Sequence, residues 1–321
     1  MNNDLCRNDI AMGKVLFDQV IKVDCGIDVH KDNIVATVRK SEKEYEPREF
    51  SSYTSFLTEL REWCKLEGVT HIAMESTGVY WKPVFNILEE DFEIILVNAR
   101  HIKNVPGHKT DKKDSRWIAK LLLSGLLKGS FIPKKEIREL RDLTRYKRKL
   151  VEQISSEKNR IQKILEDGNI KLSSVVSNMS GAVATRIVED LIAGEENISK
   201  LVSYRHGKMQ VSQEDLAKSL VGNLTAHHRG MLGLIKQSIK DKELLISNLD
   251  KIIDEHLKAN ELELDRNLLS TIPGVGKEGA VYILAEIGND MNVFADEQHL
   301  ASWAGMAPGN NESAGKKKAL E

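Results

Sequence analysis

Residues 110–117 read TDKKDSRW, which sets Asp111 and Asp114 three positions apart inside the most lysine-rich stretch of the first half of the chain. On a helix an i, i+3 pair presents both carboxylates on one face, where hard oxygen donors can grip a divalent cation while nearby lysines hold phosphate. The plainer reading is a helix start. Aspartate in a first turn meets the positive end of the helix dipole, and Thr110 with Asp111 can cap the apolar run Trp117, Ile118, Leu121 and Leu122. Two further acids weigh against coincidence: Asp28 in KVDCGIDV and Glu75 closing THIAME. Taken singly, Asp28 is a turn residue and Glu75 a capping acid. Taken with the Asp111/Asp114 pair, they make a four-carboxylate set suited to Mg²⁺, with Mn²⁺ able to substitute, and to phosphodiester chemistry.

Such a set works only if elements far apart in sequence bring it together. The runs 22–29 and 33–39 are β-rich and separated by the polar HKD, which predicts a hairpin, with a short third strand near 46–50. Residues 53–68 carry a helical stripe (Phe56, Leu57, Leu60, Trp63, Cys64) closed by Gly68. Then come a buried-type strand (70–75), a helix (80–91), a second such strand (93–98) and a helix (114–125). Three strands, helix, strand, helix, strand, helix is the order of the ribonuclease H-like α/β fold, which carries acids at strand ends.

Beyond residue 134 the pattern becomes helical. Heptad-like runs over 134–166 and 232–256 predict either an antiparallel hairpin within the chain or a dimerising coiled coil, and 168–231 has too little periodicity to assign. The segment NLLSTIPGVGKEGAVYILAEIG (267–288) is similar to a helix-hairpin-helix, in which Gly274 and Gly276 let backbone N–H groups approach a phosphate and Lys277 adds charge. An ordinary αα-hairpin packed in a core fits the same residues.

The chain has 321 residues, 41% of them hydrophobic and 30% charged, which describes a folded rather than a disordered protein. No apolar run approaches a membrane span and the N-terminus lacks a signal peptide's apolar core, so a cytoplasmic location is expected. Cys6, Cys25 and Cys64 are widely spaced and suggest neither a disulfide framework nor a zinc site. The net charge of −1 conceals patterning: seven Lys or Arg against two acids over 98–120, twelve against five over 128–163, and eight acids against three lysines over 241–265. The basic stretches suit a polyanion, although such runs also make ordinary solvated helix faces.

The segments GIDVHKD (26–32), MESTGVYW (74–81), VNARHIKNVPGHKTDKKDSRWIAKLL (97–122), the IPGVG turn and WAGMAPGNNESAGKKK (303–318) resemble, in that order, the DEDD-type insertion-sequence transposases related to the Piv DNA invertase. The resemblance implies a RuvC-like (RNase H-like) catalytic domain at 20–130, a helical coiled-coil linker at 134–260 and a mainly helical transposase domain with helix-hairpin-helix at 265–321. It places Asp28, Glu75, Asp111 and Asp114 at the acidic, metal-binding positions and Ser313 at that of a serine nucleophile. It implies DNA as substrate, a structured bridge RNA as guide, and a homo-oligomer, dimer or tetramer, with no membrane partner and nucleoid association when DNA is bound. The nucleic-acid contacts expected are Lys109, Lys112, Lys113, Arg116, Gly274, Gly276, Lys277 and Lys316. The chain ends eight residues after Ser313, where the family continues with a basic helical segment, so an incomplete C-terminal domain is expected. The alternatives are a non-catalytic nucleic-acid-binding remnant and a metal-dependent junction-resolving nuclease.

Overall fold

Strand alternation in β1 (Asp24–Val29) sends Cys25, Ile27 and Val29 into one core and leaves Asp24, Gly26 and Asp28 on the opposite face. The computed structural model describes residues 21–306 except 42, 77, 99–113, 128 and 208, together with the backbone of 312–313 and 316–317. It divides into two compact units, Met1–Ile132 and Pro133–Glu321. Among the described residues no helix is long and apolar enough to cross a membrane.

In the first unit β2 (Asn33–Arg39) and β3 (Tyr45–Ser51) follow β1 as antiparallel hairpin partners. β4 (His71–Glu75) pairs parallel to β1 and β5 (Glu93–Val97) parallel to β4, giving the order β3-β2-β1-β4-β5. Parallel neighbours require crossovers, and α1 (Thr54–Leu66) and α2 (Trp81–Leu88) supply them. Leu57, Leu60, Trp63 and Cys64 of α1, with Val84, Phe85 and Leu88 of α2, pack on Cys25, Ile27, Ile72 and Met74. α1 stops where Gly68 takes a φ of 73°, a left-handed conformation in which a side chain would be strained. The other face is covered by α3 (Asp114–Leu123), whose Ile118, Leu121 and Leu122 pack on Ala73 and Val97. The result is a five-stranded mixed α/β sheet with helices on both faces, consistent with the ribonuclease H-like order expected from the sequence.

The second unit is mostly helical. α4 (Lys135–Asp167) lies antiparallel to a later helix, Ala226–Ala259. Ile137 and Leu140 pack with Ile253 and Leu257 at one end, Ile154 meets Ile235 and Ile239 further along, and Leu165 shares a cluster with Leu232. The apolar seam passes through Leu150, 4% exposed, whereas Val151, the residue the heptad spacing selects, is 46% exposed. The departure is local, since Ile154 and Leu165, which keep the heptad spacing from Leu140 and Ile137, are buried.

The stretch without assignable periodicity holds α5 (Leu172–Val175), α6 (Ala182–Ile192), α7 (Ile198–Val202) and α8 (Gln213–Ser219), ahead of the long helix, now α9. Three of these four helices have seven residues or fewer, two turns at most, too short to display a 3.6-residue repeat. They fold around Leu172, Ile187, Leu201 and Leu216, in the cluster that also takes in Leu165 of α4 and Leu232 of α9. α10 (Glu263–Leu269), α11 (Lys277–Ile287) and α12 (Glu297–Trp303) follow, with a two-residue ladder of β6 (Glu312–Ser313) and β7 (Lys316–Lys317).

Candidate active site

Asp28 and Glu75 stand at the same end of the sheet and on the same face. Register places Ile27 opposite Met74 on parallel strands, so Asp28 and Glu75 are the next residues along β1 and β4. Because Ile27 and Met74 both point into the α1/α2 core, the residues after them point to the α3 side. Asp28 has a side chain 18% exposed, and His30 Nε2 lies 3.1 Å from its Oδ2. Asp114 reaches the same end from above. α3 runs antiparallel to β1, since Ile21 N–H donates to Leu123 C=O at 3.2 Å beside the start of β1 while Ser115 sits over Gly26 at its middle. Its first residue, Asp114, is therefore directed toward the acid-bearing end and is exposed there.

The three carboxylates share that end without closing on a common point. Among the described residues no three His, Cys, Asp or Glu side chains form a group that could hold a metal ion. Like charges resist being drawn within a cation's reach until a cation is there. Asp111, Lys109, Lys112 and Lys113 lie outside the described residues, so the four-acid set expected from the sequence is represented by three acids. Their donor chemistry, carboxylate oxygen from three separate elements, is what Mg²⁺ takes. His30 was not among the expected site residues, although the sequence reading placed it in the polar turn HKD and in the segment GIDVHKD. The signal was its place two residues past Asp28 at a strand end.

The other expected contacts are scattered. Arg116 lies with its guanidinium 3.6 Å from the centre of the Tyr45 ring on β3. Ser313, expected in a loop, lies on β6 paired with Lys316 of β7. Between α10 and α11 the chain turns through Pro273–Gly276. Gly274 takes a φ of 88°, which a β-carbon would oppose, while Gly276 is the N-cap of α11 with no side-chain cap and open space around it. Lys277, the first residue of α11, is exposed.

Part of the basic run on α4 is occupied within its own unit. Arg141 donates to the carbonyls of Ala285 and Glu286 at the C-terminus of α11, at 2.9 and 2.7 Å, and Arg145 forms a two-pronged pair with Glu286 at 2.9 and 2.8 Å. Lys147, buried at 8% exposure, contacts Asp250 and Glu278 at 2.6 Å each. Burial works against its charge, but the hydrogen bonds from Asp250 and Glu278 prevail and hold its pKa above the ordinary value. Thus α11 is fastened to α4 at both ends, and three of the basic residues on α4, Arg141, Arg145 and Lys147, are matched by carboxylates 100 or more residues away.

Comparison with known proteins places these features in context. Residues 25–170 match a family model described as a transposase, of the DEDD type. Residues 266–321 match a second one, described as a transposase of the IS116/IS110/IS902 family. A stretch of 53 residues is 45% identical to the pilin gene-inverting proteins of Moraxella lacunata and of Moraxella bovis. That stretch is 16% of this chain and spans 16% of each relative's length.

Proposed function

The chain belongs to the IS116/IS110/IS902 family of transposases, and from that premise we propose that it cuts and rejoins DNA as a site-specific recombinase of an insertion sequence. The observation that carries the reading is that Asp28 and Glu75 share one end and face of the five-stranded sheet, toward which Asp114 at the start of α3 is directed. Asp28, Glu75, Asp114 and Asp111 would hold Mg²⁺ or Mn²⁺. The bound ion would polarise the scissile phosphate and stabilise the oxygens of an in-line displacement. Ser313 would attack phosphorus, forming a serine O–P bond as the P–O bond to the leaving deoxyribose oxygen breaks. Its proton leaves the hydroxyl and the departing oxygen takes one up. The phosphoserine link keeps the cut end attached until rejoining.

The turn at Pro273–Gly276 suits a helix-hairpin-helix role. Uncapped N–H groups at the start of α11 and the charge of Lys277 would hold a backbone phosphate without reading sequence. Sequence choice would then fall to a structured guide RNA. The antiparallel α4/α9 pair would serve as the coiled-coil linker of a dimer or tetramer.

Incubating the chain with Mg²⁺, element-end DNA and the cognate RNA should yield a covalent protein–DNA adduct that survives denaturation. Asp28→Asn and Ser313→Ala should each reduce it at least 100-fold, while only the aspartate change should also erase a Mn²⁺-induced rise in melting temperature. An undiminished adduct from Ser313→Ala removes the serine from the mechanism. The open spacing of the three described carboxylates favours a second reading, a nucleic-acid-binding chain that cuts nothing; DNA retention with no adduct in either metal would establish it.

Binding is expected to weaken steeply with salt, but not through the paired residues Arg141, Arg145 and Lys147 of α4. Lys112→Ala with Lys113→Ala should flatten the plot of log affinity against log salt by about 0.9 for each phosphate no longer neutralised. Arg145→Gln should leave that slope unchanged, since its charge is matched by Glu286, and lower stability by less than about 1 kcal/mol because the pair is solvent-screened. Fluorescence anisotropy at several salt concentrations separates the two outcomes.

A further inference from the structure

The hydroxyls of Thr37 on β2 and Ser115 on α3 share a 2.8 Å hydrogen bond, and both residues are buried, at 0% and 4% exposure. The surrounding interface is apolar, built from Ile118, Leu121 and Leu122 against Ala73 and Val97. Apolar contacts alone tolerate sliding and rotation, whereas a hydrogen bond fixes direction. Gly26 sets the remaining coordinate. A β-carbon there would fall 2.2 Å from Ser115 O and 2.3 Å from Ala119 N, so the backbone of α3 rests directly on the backbone of β1. Gly26 and Thr37 are register partners, and Asp28 lies two residues beyond Gly26 on the same face. The residue after Ser115, Arg116, is held over Tyr45 of β3. The two residues that follow Asp114 are thus anchored on two successive strands. A slip of one residue along α3 would move the Asp114 backbone by about 1.5 Å, and a full turn by about 5.4 Å.

We propose that Thr37 and Ser115 are positioning residues that hold Asp114 at the acid-bearing end of the sheet. The proposal deepens the acidic-site reading given above and rests on it. Neither hydroxyl touches DNA or metal; both act through the rotation and depth of α3.

The test uses the full chain without DNA and two readouts. One is the Mn²⁺ concentration at half-maximal rise in melting temperature. The other is hydrogen exchange at Ile118–Leu121, amides of the second turn of α3; those of the first turn have no intrahelical acceptor and exchange in any case. Thr37→Val is expected to keep a metal-free melting temperature within a few degrees of wild type, raise the Mn²⁺ midpoint at least threefold and speed exchange in α3. Thr37→Ser, which keeps the hydroxyl, should behave as wild type in both. Ser115→Ala should reproduce Thr37→Val, and carries the same test should Thr37→Val fail to fold. A Thr37→Val or Ser115→Ala protein with wild-type midpoint and wild-type exchange overturns the proposal, as does a Thr37→Ser protein that fails alongside them. Failure of the acidic-site reading looks different: wild type then gives no Mn²⁺ response, exchange in α3 alone decides, and unchanged exchange in the variants overturns the proposal.

Discussion

Gly26→Ala is expected to cost about 3 kcal/mol, the upper end of what an overfilled core position costs, and to lower the melting temperature by on the order of 10 °C. The reason is that the new methyl meets backbone. Ser115 O and Ala119 N lie 2.2 and 2.3 Å from where it would sit, and neither can rotate aside as a side-chain tip would. α3 must lift off β1, loosening Ile118, Leu121 and Leu122 from the sheet and stretching the Thr37–Ser115 bond together. Gly233→Ala in α9 supplies the contrast. A methyl there finds Ile192 Cγ2 at 3.6 Å, an ordinary contact, so the helix gains by about 0.5–1 kcal/mol from a less flexible unfolded chain. Urea titrations of the two variants should therefore move in opposite directions. A Gly26→Ala protein as stable as wild type would mean that α3 does not lie on β1 as described, and the placement of Asp114 would fall with it.

Gly26 also marks the boundary between what could and could not be read from the chain. The succession of strands and helices in the first unit was readable because β1, β4 and β5 are short apolar runs and because α1 carries a stripe at helical spacing. Asp28 and Glu75 were readable as strand-end acids for the same reason. The glycine in GIDV carried no such signal: its role depends on α3, some 90 residues later, coming to rest on that particular atom. Thr37 and Ser115 are 78 positions apart and individually look like a strand threonine and a first-turn serine. Pairing within the basic run on α4 was hidden by the same distance. Local charge was visible, but the carboxylates of Asp250, Glu278 and Glu286 that pair with Arg141, Arg145 and Lys147 were not. The heptad spacing fails at Val151, where Leu150 is the buried residue, and resumes at Ile154.

Asp24→Asn is expected to stabilise the protein at neutral pH, by an amount that grows with pH. Asp24 begins β1 on the α3 face with 0% exposure, and neither carboxylate oxygen has a hydrogen-bond partner. Desolvation raises its pKa from 3.8 to about 8, against the opposing pull of Arg39, its register partner on β2. The folded state therefore keeps a proton that the unfolded state releases above pH 4. Between about pH 4 and pH 8 the folded chain binds one proton more than the unfolded chain, so this group makes stability fall as pH rises, by about 1.4 kcal/mol per unit. By pH 7 the accumulated cost is roughly 4 kcal/mol. Asparagine keeps the shape and has no proton to release, so the variant escapes the slope. The informative quantity is the stability of Asp24→Asn minus that of wild type from pH 3 to pH 9, in which the other titrating groups cancel. It should start near zero at the acidic end, widen with each unit and level off above pH 8, where the wild-type carboxyl ionises in the folded state as well. A difference that stays constant across this range would mean that Asp24 titrates alike in both states, and that water or a cation reaches it despite its burial.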